Sequence, residues 1–103
     1  MGDWASAYIE KLKNGEVVQF QAPNDDSMKS RIESGQLVTI EPIKSARLRV
    51  DDIVLCTIGK CQYLRLVKDI TTDRFGPTRY QIGSAAGKIN GWIMIDQVFG
   101  KMT

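Results

Sequence analysis

The apolar rhythm of the chain changes once, at Asn14-Gly15, and that change constrains the fold more than any other feature. Before it, Trp4, Tyr8 and Leu12 recur every four residues with Ala5 and Ile9 beside them, which is the spacing of one helix face. Asp3 is placed to cap such a helix, and Asn14-Gly15 to stop it in a left-handed turn, so the pattern predicts one short helix over 3–14. From Glu16 onward the spacing is that of strands, and the chain is expected to be mainly β over about 16–101.

Strands are expected at Glu16 to Gln21, at Leu37 to Ile40 ended by Pro42, and in a hairpin of Ile53 to Thr57 with Gln62 to Ile70 about Gly59. Thr71 to Thr78 reads as a loop between hairpins. Arg79 to Ile82 and Trp92 to Ile95 follow as strands around the small-residue turn Gly83 to Gly87, and Val98-Phe99 closes the sheet. Apolar residues fall on both parities of these strands. That predicts a coiled antiparallel sheet, or partial barrel, with both faces covered rather than a half-exposed meander. A chain of 103 residues with 43% hydrophobic content supplies one core, so 1–103 is read as a single domain.

Several functional classes lose their support at this point. The net charge is +2, with acidic and basic residues interspersed, which gives no electrostatic case for strong nucleic-acid binding. The sequence contains no histidine and only two cysteines, Cys56 and Cys61, so no metal constellation or other cofactor is expected, and no Ser-His or Cys-His chemistry. The cysteines flank Thr57-Ile58-Gly59-Lys60 and read as reduced residues near each other across a hairpin. No stretch reaches the roughly 20 apolar residues that cross a bilayer, and no signal peptide is visible, so a cytoplasmic protein without membrane contact is expected.

Four stretches taken together resemble the signal-peptidase and SOS-repressor superfamily of serine peptidases. Ser27-Met28, followed by Gly35 and a β-branched run, is similar to the nucleophile segment. Asp51-Asp52-Ile53-Val54-Leu55 resembles its Gly-Asp-Ile-Val strand opening, and Tyr63-Leu64-Arg65-Leu66-Val67 the strand that carries the general base. Ile82-Gly83 through Gly91-Trp92 to Phe99-Gly100 resembles the closing box. The small phage-type members, with Tyr-Leu-His-Leu-Val, look most similar. The resemblance implies a signal-peptidase type of β fold, with Ser27 in the nucleophile position and the Met28 backbone N–H at an oxyanion hole.

The chemistry departs from the pattern at two places. The superfamily deprotonates its serine with a lysine or, in a subset, a histidine, and here that position holds Arg65, which keeps its proton at physiological pH. The closing turn reads Gly83-Ser84-Ala85 and lacks the acidic member that assists some relatives. Lys68 is the fallback base, although in a regular strand its side chain leaves the face opposite to Arg65 unless a bulge intervenes. Plainer roles stand beside these: Ser27 as a turn serine, Met28 as core filler, and Arg65 paired with a carboxylate such as Asp25, Asp26 or Asp52. The 26 residues before Ser27 are too few for both a helix-turn-helix unit and a cleavable arm, which argues against a self-cleaving repressor. The expectation is a phage- or prophage-type peptidase-like domain, catalytically impaired, that binds a peptide or protein partner. The alternatives are an active endopeptidase using Ser27 with Lys68 or a base in trans, and a β-domain with an unrelated structural or binding role.

Overall fold

The run Ile53-Val54-Leu55-Cys56 can be buried at every position only if both faces of its strand are covered, and the sheet is built around that demand. The computed structural model describes residues 4–23, 26–43, 48–72 and 74–103, with the backbone alone at Asp26. One helix, α1 (Ser6–Lys13), precedes seven strands: β1 (Val18–Gln21), β2 (Leu37–Pro42), β3 (Ile53–Ile58), β4 (Cys61–Thr72), β5 (Thr78–Gly83), β6 (Ile89–Ile93) and β7 (Val98–Met102). All pairings are antiparallel, in the order β1-β2-β7-β3-β4-β5-β6. The sheet is open, with β1 and β6 at its two ends. The last strand lies inside it, between β2 and β3.

β3 divides its side chains between two cores. Ile53 and Leu55 join Leu64 and Leu66 of β4 on the face covered by α1 and by the segment after β1, where Met28 and Ile32 are buried. Val54 and Cys56 turn to the other face and pack with Leu48, Val67, Ile82, Ile93 and Val98. The expectation of a two-sided sheet is met.

The helix is the expected lid. Ala5, Ile9 and Leu12 enter the first core, while the Tyr8 ring stacks on Phe20 with centroids 4.4 Å apart and Trp4 meets Phe20 edge-on at 5.6 Å. Its end is a Schellman turn: Gly15, at φ +85°, donates its N–H to Leu12 O, and Glu16 N–H donates to Lys11 O. The start is later than expected. Helical residues begin at Ser6 with no side-chain cap, and Asp3 lies outside the described residues.

Other strand limits also differ. β1 begins at Val18, and Thr71-Thr72 and Thr78 belong to β4 and β5, because Thr72 pairs with Thr78 and the connection shrinks to 73–77. β6 starts at Ile89, since the turn that reverses the chain is held by Ser84 and Lys88, and Ile95 belongs to a 3-10 turn, Ile95–Gln97. No described helix is long and apolar enough to cross a membrane.

Candidate functional site

The β3–β4 hairpin closes on Ile58 and Cys61 through Gly59, at φ +60°, so alternate β4 residues direct their peptide groups to β3 and away from it. Cys61, Tyr63 and Arg65 bond β3, whereas Gln62 and Leu64 turn to the opposite edge. Pairing with β5 begins only at Leu66, opposite Gly83. Among the described residues, no strand therefore adds to the Cys61–Arg65 half of β4 on that side. A cavity of about 490 Å³ lies there, lined by Trp4, Ala22, Pro23, Met28, Ile32 and Cys61 to Arg65. Two side chains reach the edge carbonyls: Trp4 Nε1 donates to Gln62 O at 3.1 Å, and Arg65 Nη1 to Leu64 O at 3.1 Å.

The Ser27-Met28 segment stands next to this edge. Ser27 lies in a 3-10 turn, Asp26–Met28, and is half-buried; Met28 is buried in the first core and lines the cavity, as expected of a core filler. The Met28 carbonyl accepts N–H groups of Arg31 and Ile32, which curls the chain toward the Gly35 turn. The segment is tied to the β5–β6 connection by Ala85 N–H, which donates to Ser27 O at 2.9 Å. The same peptide unit meets Lys68 at its other end, where Ser84 O accepts from Lys68 Nζ at 3.5 Å.

A bulge produces that approach. The β4–β5 register shifts between Val67 and Asp69, so Lys68 occupies the irregular position, with its stem over Gly83. Lys68 keeps the parity of Leu64 and Leu66, whose side chains enter the Met28 core, and Ser27 and Lys68 flank the Ser84-Ala85 peptide. Arg65 has a different setting. It is buried, with Cζ 5.0 Å over the Tyr63 ring, and Tyr63 packs on the second core. Of the carboxylates considered for it, Asp52 is engaged elsewhere, accepting from Arg49 N–H at 2.8 Å and facing Lys101 Nζ at 3.7 Å. Asp25 and the Asp26 side chain lie outside the described residues.

The two cysteines are free and unlike each other. Cys56 is opposite Tyr63 and wholly buried; Cys61, two residues before Tyr63, is exposed. Burial pushes the Cys56 thiol up to about 12, against the opposing charge of Arg65. Burial also raises the Tyr63 phenol, helped by its hydrogen bond with Cys61 and the nearby thiols and opposed by Arg65. Cys61 is expected to react with a thiol-exchange reagent in the native protein and Cys56 only after denaturation, as counted by released chromophore. Because the folded pKa of Cys56 lies above the ordinary 9.0, its contribution to stability is whole below pH 9 and is lost as pH rises through about 12. Rapid native reaction of both thiols is the opposing result.

Sequence reasoning singled out Ser27, Met28, Arg65 and Lys68, of which Met28 and Arg65 line the cavity, and gave no site role to Trp4, Gln62 and Ser84. Gln62 Oε1 accepts Ala5 N–H at 2.7 Å, so the helix start is fastened to the strand edge. Ser84 is buried and holds the closing turn through its own hydroxyl, which accepts Lys88 N–H at 3.0 Å. Its position in the small-residue turn Gly83 to Gly87 was the available signal. Among the described residues, no group of three or more cysteines and carboxylates is placed to hold a metal. Comparison with family models, with curated proteins and with solved structures finds no match to this chain.

Proposed function

We propose that the chain is a catalytically silent, peptidase-like β domain of phage type, acting in the cytoplasm, that binds an extended segment of a peptide or protein partner along the Cys61–Arg65 half of β4, in place of the Trp4 and Arg65 side chains that now meet its edge carbonyls. The observation that carries this reading is the coincidence of a β4 edge at Gln62 and Leu64, to which no strand among the described residues adds and whose carbonyls are met by the Trp4 and Arg65 side chains, with a largely apolar cavity beside it. Main-chain bonds along such an edge supply affinity, and alternate side chains of the guest enter the adjoining pocket. Asp51 gives independent support to the superfamily resemblance. It stands where the strand-opening motif has glycine, and its φ is +77°, a conformation in which glycine is at ease and aspartate is tolerated. Silence follows from Arg65, since a buried guanidinium cannot accept a serine proton near neutral pH.

The active alternative is favoured by one observation, the bulge that sets Lys68 and Ser27 on either side of the Ser84-Ala85 peptide. A general base must reach the hydroxyl whose proton it takes, and the contact that Lys68 makes is with a backbone carbonyl, Ser84 O, at 3.5 Å.

Titration of the labelled protein with a library of extended apolar peptides tests the binding reading. The amide resonances of Gln62 and Leu64 should shift most, and Pro23→Trp, which crowds the cavity mouth, should weaken binding about tenfold, or about 1.4 kcal/mol. Shifts confined to other strands, or binding indifferent to Pro23→Trp, would count against the β4 edge.

A further inference from the structure

Three hydrogen bonds converge on one residue of β4. Gln62 O accepts from Trp4 Nε1 at 3.1 Å, Gln62 Oε1 accepts from Ala5 N–H at 2.7 Å, and Gln62 Nε2 donates to Ser6 Oγ at 3.0 Å. The lead into α1 is thereby fastened to the part of β4 that β5 does not reach. On that edge Gln62 O and Leu64 O each receive a side-chain N–H, from Trp4 and from Arg65, at the places where a guest strand would offer backbone N–H groups. Covering an edge in this way keeps it from pairing with a wrong chain.

The three bonds differ in what they hold. Ala5 is wholly buried in the first core and its carbonyl accepts Ile9 N–H at 2.9 Å, so the helix start is anchored without the indole. Trp4 is only half-buried. Its ring meets Phe20 edge-on at 5.6 Å, and Phe20 keeps the Tyr8 stack at 4.4 Å when that contact is lost. The same ring lines the cavity of about 490 Å³ beside the edge. Rotation about its own side-chain bonds is enough to take the indole off the carbonyl and out of the cavity wall, with Ala5 as the fixed point.

We infer that Trp4 is an autoinhibitory plug: its indole occupies the β4 edge until a guest segment displaces it from Gln62 O, while Gln62 keeps its hold on Ala5 and Ser6. The inference rests on the reading of the Cys61–Arg65 half of β4 as a peptide-binding edge. Affinity at that edge is then set by a competition within the chain. The plugged state does not bind, so the apparent affinity falls by the fraction of molecules whose edge is open, and a change that opens the edge restores it.

Titration of the labelled full chain with the extended apolar peptides is the test, with the Trp4 indole N–H followed beside the amides of Gln62 and Leu64. The indole resonance should leave its hydrogen-bonded position along the same binding curve as the two amides, and its protection from hydrogen exchange should fall. Trp4→Phe keeps an aromatic ring against Phe20 but has no N–H to offer Gln62 O, so it should tighten peptide binding about two- to tenfold, the worth of one net hydrogen bond. Trp92→Phe, which assigns the other indole resonance, should leave binding unchanged. Amide shifts at Gln62 and Leu64 with a stationary Trp4 indole overturn the plug and leave the β4 edge standing. So does binding that Trp4→Phe leaves unchanged or weakens. If neither amide responds to any of the peptides, the plug and the β4 edge fall together.

Discussion

Gly100→Ala is expected to cost about 3 kcal/mol and to lower the melting temperature by about 10–20 °C, a large part of the stability of a domain this size. Gly100 sits in β7 opposite Pro42, where the central strand passes beneath the helix. A Cβ at this position would stand 2.6 Å from Glu41 O, 2.6 Å from Ile40 Cγ2 and 3.1 Å from Leu12 Cδ2. The first neighbour is backbone of the paired strand, so it cannot rotate aside. Relief requires β2 and β7 to part or α1 to lift, and either movement opens the first core. Differential scanning calorimetry reads the result directly. A loss of less than about 3 °C would mean that the strands yield cheaply and that the close approach is not what holds helix and sheet together.

The wild-type chain is expected to show no acylation of Ser27 by serine-directed probes, and Arg65→His or Arg65→Lys to raise labelling by about a hundredfold or more. A positioned base is worth roughly a hundred- to ten-thousand-fold. The lower end applies because the site was not shaped around the new residue: a base needs its own supporting contacts, and a lysine must also be desolvated before it gives up its proton near neutrality. Intact-mass spectrometry with a Ser27→Ala control measures the adduct. The opposite pattern is equally distinct. Stoichiometric labelling of the unaltered chain, abolished by Ser27→Ala and by Lys68→Ala but kept in Arg65→Ala, would identify Lys68 as the base and remove the reading of Arg65 as a disabling substitution.

Much of the candidate site was legible because strand parity and turn chemistry are local. The hairpin about Gly59 follows from two strand patterns and a glycine, and it fixes which β4 residues face outward. Burial of Met28 follows from its being the one large apolar side chain in a polar turn. The bulge at Lys68 was not legible. Parity predicts a regular strand, and only the competition between the β3 and β5 registers forces an extra residue into β4. The roles of Trp4 and Gln62 were hidden for a related reason: their bond spans 58 positions, and nothing in either neighbourhood announces the other.

The sequence by itself determined a short helix followed by a two-sided antiparallel sheet, because residue periodicity is read from neighbours three, four or two positions away. It also determined that position 65 holds a side chain that stays charged, since that is a property of arginine and not of the fold. Tertiary structure alone decided that the last strand enters the middle of the sheet, that β5 pairs with β4 only from Leu66 onward, and that among the described residues β6 ends the sheet with exposed apolar side chains. These are outcomes of which distant strands pair. Pairing is settled by the joint packing of both cores, a condition on the whole chain that no local window contains.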